Sequence, residues 1–251
     1  QAKKRGLRRI FVVLPFTSII SQSVKIYRKA LTLPGEKPED VVAELHHRAE
    51  FKNLDARHFT ALWRAPIIVT TAVAFFETLA ANTTSTLRRL HELPGSAIFV
   101  DESHAALPTH LLPLAWRWMN SYAEDWGCYW VLASGSLNRF WEIEEIAYNT
   151  GKADVPEIVD DTLRNNLSYY EERRITYKFR VQPQSLNELT QWIAAVPGPR
   201  LVILNTVQSA AVLALNFKDK FGRASVEHLS TALTAEDREG TLAIIQKRLK
   251  N

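Results

Sequence analysis

The chain has 251 residues, long enough for one large domain or two smaller ones. Apolar residues make up 46% and charged residues 23%, the balance of a water-exposed globular chain, and no stretch approaches the roughly 18 to 20 apolar residues of a membrane span. A net charge of +4 permits a polyanionic partner without requiring one. The basic N-terminus (Lys3, Lys4, Arg5, Arg8, Arg9) is not followed by the apolar stretch and small-residue cleavage site of a secretory signal. The single cysteine, Cys128, lies in an apolar run and reads as a buried, inert thiol, which fits a reducing cytoplasm. Residue 1 is Gln and the only methionine is Met119, so the chain is expected to be a segment of something longer.

In chain order, Arg8 to Pro15 (RRIFVVLP) is a continuous apolar run with β-branched residues, suited to a strand buried on both faces. Thr17 and Ser18 are placed to cap a helix reaching about Leu31. Pro34, Gly35 and Pro38 mark a loop, and Glu39 to Arg64 reads as helical, in two pieces broken near Asn53. Pro66 to Thr71 (PIIVTT) is a second buried strand, followed by the helical AVAFFETLAA. Ser96 to Glu102 (SAIFVDE) is a third strand, a Trp-rich helix runs from about Thr109 to Trp126, and Cys128 to Ser134 (CYWVLAS) is a fourth strand. Strands and helices alternating in this way predict a doubly wound parallel α/β sheet. Asn138 to Glu172 reads helical and acidic, and Arg173 to Arg180 (RRITYKFR) alternates like an edge strand. Pro183 opens a second α/β unit: a helix at Ser185 to Val196, a strand at Leu201 to Thr206, a helix from Val207, a strand at Ser225 to Ser230, and a helix from about Thr234. The expected organisation is a first lobe over 1–165, a linker over 166–184, and the beginning of a second lobe over 185–251.

The chemistry concentrates at Val100-Asp101-Glu102-Ser103-His104. Two acids directly after an apolar strand stand at the carboxyl edge of a parallel sheet, where ligands bind in this architecture. There an Asp helps to hold Mg²⁺ against a triphosphate, and a neighbouring Glu orients and deprotonates the attacking water. A divalent cation relieves the repulsion between adjacent carboxylates. The plainer reading, acids favoured at a helix N-terminus, applies to an isolated Asp-Glu pair. Ala133-Ser134-Gly135-Ser136 ends the next strand, and its hydroxyls are placed to bond to the acids and sense the γ-phosphate; by itself it is only a turn.

The DESH segment resembles the DExH box of superfamily-two helicases, and SGS resembles their Ser-Ala-Thr motif, departing from it at Gly135 and Ser136. LPFTSIISQ (Leu14 to Gln22) and VTT (Val69 to Thr71) resemble the motifs by which those helicases contact nucleic acid. LVILNTVQSA (Leu201 to Ala210) and HLSTALTAEDRE (His228 to Glu239) resemble the opening of their second lobe. The combination is most similar to the CRISPR-associated helicase-nuclease of type I interference systems, across nearly the whole chain. The resemblance implies ATP and Mg²⁺ as cofactors, single-stranded DNA as partner (RNA is possible) together with a CRISPR effector complex, and a cytoplasmic location. It assigns the metal-side carboxylate to Asp101, the water-activating base to Glu102, the coupling of nucleotide state to His104, and the link between hydrolysis and strand binding to Ser134 and Ser136. Nucleic-acid contacts fall on Thr17, Ser18, Thr70, Thr71, Asn205 and Thr206, each also a plausible helix cap. Phe16 stands where related helicases often have Thr.

The triphosphate-gripping GxxxxGK[ST] loop of that family is absent: Gly151-Lys152 is the only Gly-Lys pair, and no glycine precedes it by five residues. The loop is expected upstream of Gln1, and the arginine finger beyond Asn251. His46-His47 reads as helix surface rather than as a nuclease motif. The tryptophans Trp116, Trp118, Trp126 and Trp130 read as core rather than as a base-stacking platform. A non-hydrolysing helicase relic or scaffold, and an RNA helicase with the same DExH box, are the alternative functions.

Overall fold

The structure, a computed structural model, describes residues 6–45, 63–81, 83–135, 139–147 and 155–250. Its chain divides into two compact units, Gln1–Ile158 and Val159–Asn251.

The first unit is built on a five-stranded, wholly parallel sheet. Its strands are β1 (Ile10–Leu14), β2 (Val42–Leu45), β3 (Ile67–Thr71), β4 (Ala97–Val100) and β5 (Tyr129–Leu132), in the order β2-β3-β1-β4-β5. Among the described residues the helices of this unit are α1 (Thr17–Leu31), α2 (Pro38–Val41), α3 (Ala72–Ala80), α4 (Thr84–Leu90), α5 (Ser103–Ala106), α6 (Leu112–Trp126) and α7 (Glu144–Ala147). Both faces of the sheet are covered, which is why β1 and β4 read as unbroken apolar runs. Along β1 alternate side chains enter different cores. Phe11 and Val13 join Ile68, Ile98 and Phe75 on one face, while Val12 and Leu14 join Val69 with Ile20 and Val24 of α1 on the other. Each such fully buried side chain contributes about 1.5–3 kcal/mol of transfer free energy.

The larger core is aromatic. Trp63 stacks on Phe75 with ring centroids 5.7 Å apart, Phe11 lies 5.0 Å from Trp63, and Trp130 meets Phe75 edge-on at 6.0 Å. Trp116 is buried, and Trp118, Trp126 and Trp130 pack against the same core, so these rings are spent on packing and not on bases. At the amino edge of the sheet the buried carboxylate of Glu92 gathers Arg8 at 2.9 Å, Arg9 at 2.6 Å and His91 at 3.1 Å. This ties the start of β1 to the turn before β4. Arg9 Nη1 is close to Glu92 but off hydrogen-bond geometry, and burial lowers the Arg9 pKa, opposed by the Glu92 charge.

Two sequence expectations are corrected here. Val42–Leu45 is a strand, paired with β3 from Val42↔Ile67 to Leu45↔Thr70, not part of a helix from Glu39. Helix-favouring neighbours are overridden by a ladder available on the open edge of β3. Residues 46–62 of that predicted helix lie outside the described residues. The cap of α1 is Phe16, which makes no side-chain hydrogen bond, and Thr17 is the first helical residue.

The second unit contains α8 (Asp161–Arg174), α9 (Leu186–Ala195), α10 (Val207–Phe221) and α11 (Ala235–Leu249). Side chains cap all four: Asp160, Ser185 in a capping box with Glu188, Thr206 and Thr234. A small core joins Ile193, Leu213 and Phe217, with Leu204 and Val226 packed against it. None of the strands predicted at 173–180, 201–206 and 225–230 forms among the described residues. A strand is stabilised by its neighbours' ladders, and here Leu201 is 86% and Ile203 82% exposed.

Candidate active site at the carboxyl edge of the sheet

All five strands run in one direction, so their carboxyl ends share one edge. β4 delivers Asp101 and Glu102 to that edge, and β5 delivers Ala133 and Ser134. The ladder continues past the assigned strands: the Asp101 amide donates to the Val13 carbonyl at 2.9 Å, and the Ala133 amide to the Val100 carbonyl at 2.9 Å. The chain then turns sharply. Glu102 takes a left-handed backbone conformation (φ 47°, ψ 49°), which costs a residue with a Cβ about 1–2 kcal/mol. Two bonds hold this turn. The Glu102 amide donates to Asp101 Oδ1 at 3.0 Å, and the amide of buried Ser103 donates to the Ala133 carbonyl at 3.0 Å.

The second of those bonds docks the DESH turn on the end of β5. It brings His104 Nδ1 to 2.7 Å from Ser134 Oγ and 3.3 Å from Glu102 Oε2. The side chains of Glu102 and His104 are 44% and 40% exposed, so both present polar atoms to solvent at the sheet edge. Ser103 was not singled out from the sequence. Its signal is a small residue between the acids and the histidine, and it is buried where its amide meets the end of β5.

The remaining candidates fall in several places. Thr71 ends β3 at the same edge, buried, and caps α3 by accepting from the Ala74 amide at 3.1 Å. Thr70 is fully buried and donates its hydroxyl to the Leu45 carbonyl at 2.9 Å, so it fastens β2 to β3. Thr17 opens α1 at the end of β1, half-buried. Asn205 and Thr206 belong to the second unit and are exposed; Thr206 accepts from the Ser209 amide at 3.1 Å and donates to Ser209 Oγ at 2.7 Å. Ser136 and the side chain of Ser18 lie outside the described residues.

Among the described residues no three His, Cys, Asp or Glu side chains group to hold a metal unaided. One or two carboxylates at an open edge do fit a Mg²⁺ that keeps waters and shares phosphate oxygens. No GxxxxGK[ST] loop to grip a triphosphate occurs within these 251 residues.

No protein-family model and no curated protein matches the chain. Among solved structures, the Hef helicase domain of Pyrococcus furiosus aligns with 99% of this chain and 47% of its own, at a TM-score of 0.41 and 16% identity. The chain thus spans about half the length of that structure. The helicase reading rests on the edge geometry and the motif order, not on that likeness.

Proposed function

We propose that the chain is part of an ATP-dependent DNA helicase or translocase acting in CRISPR interference, coupling ATP hydrolysis to movement along single-stranded DNA. The observation that supports this best is the 2.7 Å contact between His104 and Ser134, which joins the DESH and SGS segments across 30 residues of sequence. Two carboxylates sit at the mouth of that junction. In this reading Asp101 takes the Mg²⁺ and Glu102 the proton of the attacking water. His104 couples the state of the nucleotide, Ser134 and Ser136 link hydrolysis to strand binding, and Thr17, Ser18, Thr71, Asn205 and Thr206 contact phosphates of the strand. Thr70 takes no direct contact, since its hydroxyl is already given to Leu45. ATP and Mg²⁺ are the cofactors, a CRISPR effector complex the protein partner, and the cytoplasm the location. Among the described residues no helix is long and apolar enough to cross a membrane. The second reading is a nucleic-acid-binding module that does not hydrolyse ATP.

Hydrolysis measured with single-stranded DNA on the native polypeptide that carries these residues separates the two. Glu102→Gln is expected to lower the rate about 10²- to 10⁴-fold, the scale of a positioned general base. An undiminished rate in that variant refutes the assignment; DNA binding without any hydrolysis in the wild type selects the second reading. The 251-residue chain alone, titrated with ATP and Mg²⁺ by calorimetry, is expected to show no micromolar binding.

A further inference from the structure

The second unit carries a feature the helicase motifs do not use. From Arg173 to Asn187 the sequence holds four cations and no acid. Its central stretch alternates rings with charges: Tyr177, Lys178, Phe179, Arg180. These side chains are exposed, Tyr177 to 68% and Phe179 to 84%. Large aromatic side chains ordinarily lose that much contact with water on folding. Here the two rings lie stacked on each other, centroids 6.2 Å apart and 13° from parallel, as an i, i+2 pair in a segment that is neither helix nor strand. Arg180 lies over the face of Trp192 at 5.1 Å, and Arg173 over Tyr169 at 5.1 Å, so cations and aromatic rings are interleaved along the strip. Arg174 pairs with Glu171, and Arg180 lies within reach of the Glu188 charge, so Arg173 and Lys178 carry the least compensated charges of the strip.

We propose that the strip from Arg173 to Arg180 is a binding platform for single-stranded nucleic acid, on which bases stack against Tyr177 and Phe179 while Arg173, Lys178 and Arg180 meet phosphates. The inference rests on the nucleic-acid part of the function proposed above and adds a site to it. Charge complementarity chooses this occupant. An added β-strand would also satisfy the alternation, but it would gain nothing from a segment whose charges are all positive. Stacking on aromatic faces combined with a cationic track is the physical recipe for binding single strands without reading sequence.

The test is fluorescence anisotropy with the 251-residue chain and a labelled oligothymidylate of about 12 nucleotides, within the span of known single-strand sites. Parallel arms use oligouridylate and a duplex of the same length. Binding is expected for both single strands and to be weaker for the duplex, whose bases are already stacked. Log Kd is expected to rise with log salt with a slope of about 2, from about 0.7 per neutralised phosphate and three cations. Tyr177→Ala with Phe179→Ala is expected to weaken binding at least about fivefold, whereas Phe179→Tyr, which keeps a ring, stays within about twofold. Lys178→Glu with Arg180→Glu is expected to weaken binding and flatten the slope by about 1.4. Wild-type binding that survives both double variants overturns the platform and leaves the helicase reading standing. No binding of either oligonucleotide by the wild type overturns the platform and the nucleic-acid part of that reading together.

Discussion

Replacing Glu102 by glycine is expected to make the first unit more stable than replacing it by alanine, the reverse of the usual order. Both variants lose the same side-chain contact, the 3.3 Å approach to His104, and with both groups more than a third exposed that contact is worth only about 0–1 kcal/mol. They differ in the backbone. Alanine keeps the Cβ that makes φ 47° cost about 1–2 kcal/mol, and glycine sheds it. Glycine's greater freedom in the unfolded chain takes back about 0.5–1 kcal/mol. The difference left is about 0–1.5 kcal/mol in favour of glycine, where an ordinary helical site would favour alanine by about 0.5–1 kcal/mol. Urea unfolding followed by tryptophan emission is the assay. Of the 7 tryptophans only Trp192 lies in the second unit, so the signal reports the unit that holds Glu102. An alanine variant more stable than the glycine variant by about 0.5 kcal/mol or more, against the sign expected here, refutes the argument that strain is stored at this turn. Strain held at a position whose native side chain points to the edge of the sheet is what a functional constraint leaves behind.

Removing the carboxylate of Glu92 is expected to be far more costly than removing its exposed partner. Glu92→Ala leaves Arg9, 13% exposed, without its counter-charge and is expected to lose about 3–5 kcal/mol in denaturant unfolding, while Arg8→Ala, at a side chain 46% exposed, loses about 0–1 kcal/mol. A loss below about 1 kcal/mol for Glu92→Ala would show that water replaces the carboxylate. Burial pushes the Cys128 thiol pKa up, and its Sγ lies 3.3 Å from the Leu93 carbonyl. Ellman's reagent is accordingly expected to modify Cys128 slowly in the native chain and rapidly in denaturant, and a rapid native reaction would place this thiol at the surface.

The sequence by itself determined the strands that are buried on both faces. Ile10–Leu14, Ile67–Thr71 and Ala97–Val100 are read from local composition because a parallel sheet covered by helices demands apolar side chains on consecutive residues, and Tyr129–Leu132, a half-buried edge strand, is read from its apolar run alone. The acids of DESH were legible for the same reason, since polarity switches abruptly where β4 meets solvent. Only the tertiary structure decided Val42–Leu45. Its neighbours favour a helix, and it becomes a strand because β3 offers an unpaired edge that lies 25 residues away in sequence. The same pairing decided Thr70, whose hydroxyl is claimed by Leu45 once β2 is in place. Non-local pairing likewise explains why the apolar run at Leu201–Leu204 reads as a strand and forms none: composition sets the propensity, but the ladder belongs to a neighbour. The meeting of His104 with Ser134 is of this kind too. Each residue sits on its own strand-end turn, and what joins them is the order β1-β4-β5, fixed by hydrogen bonds between segments that no local pattern relates.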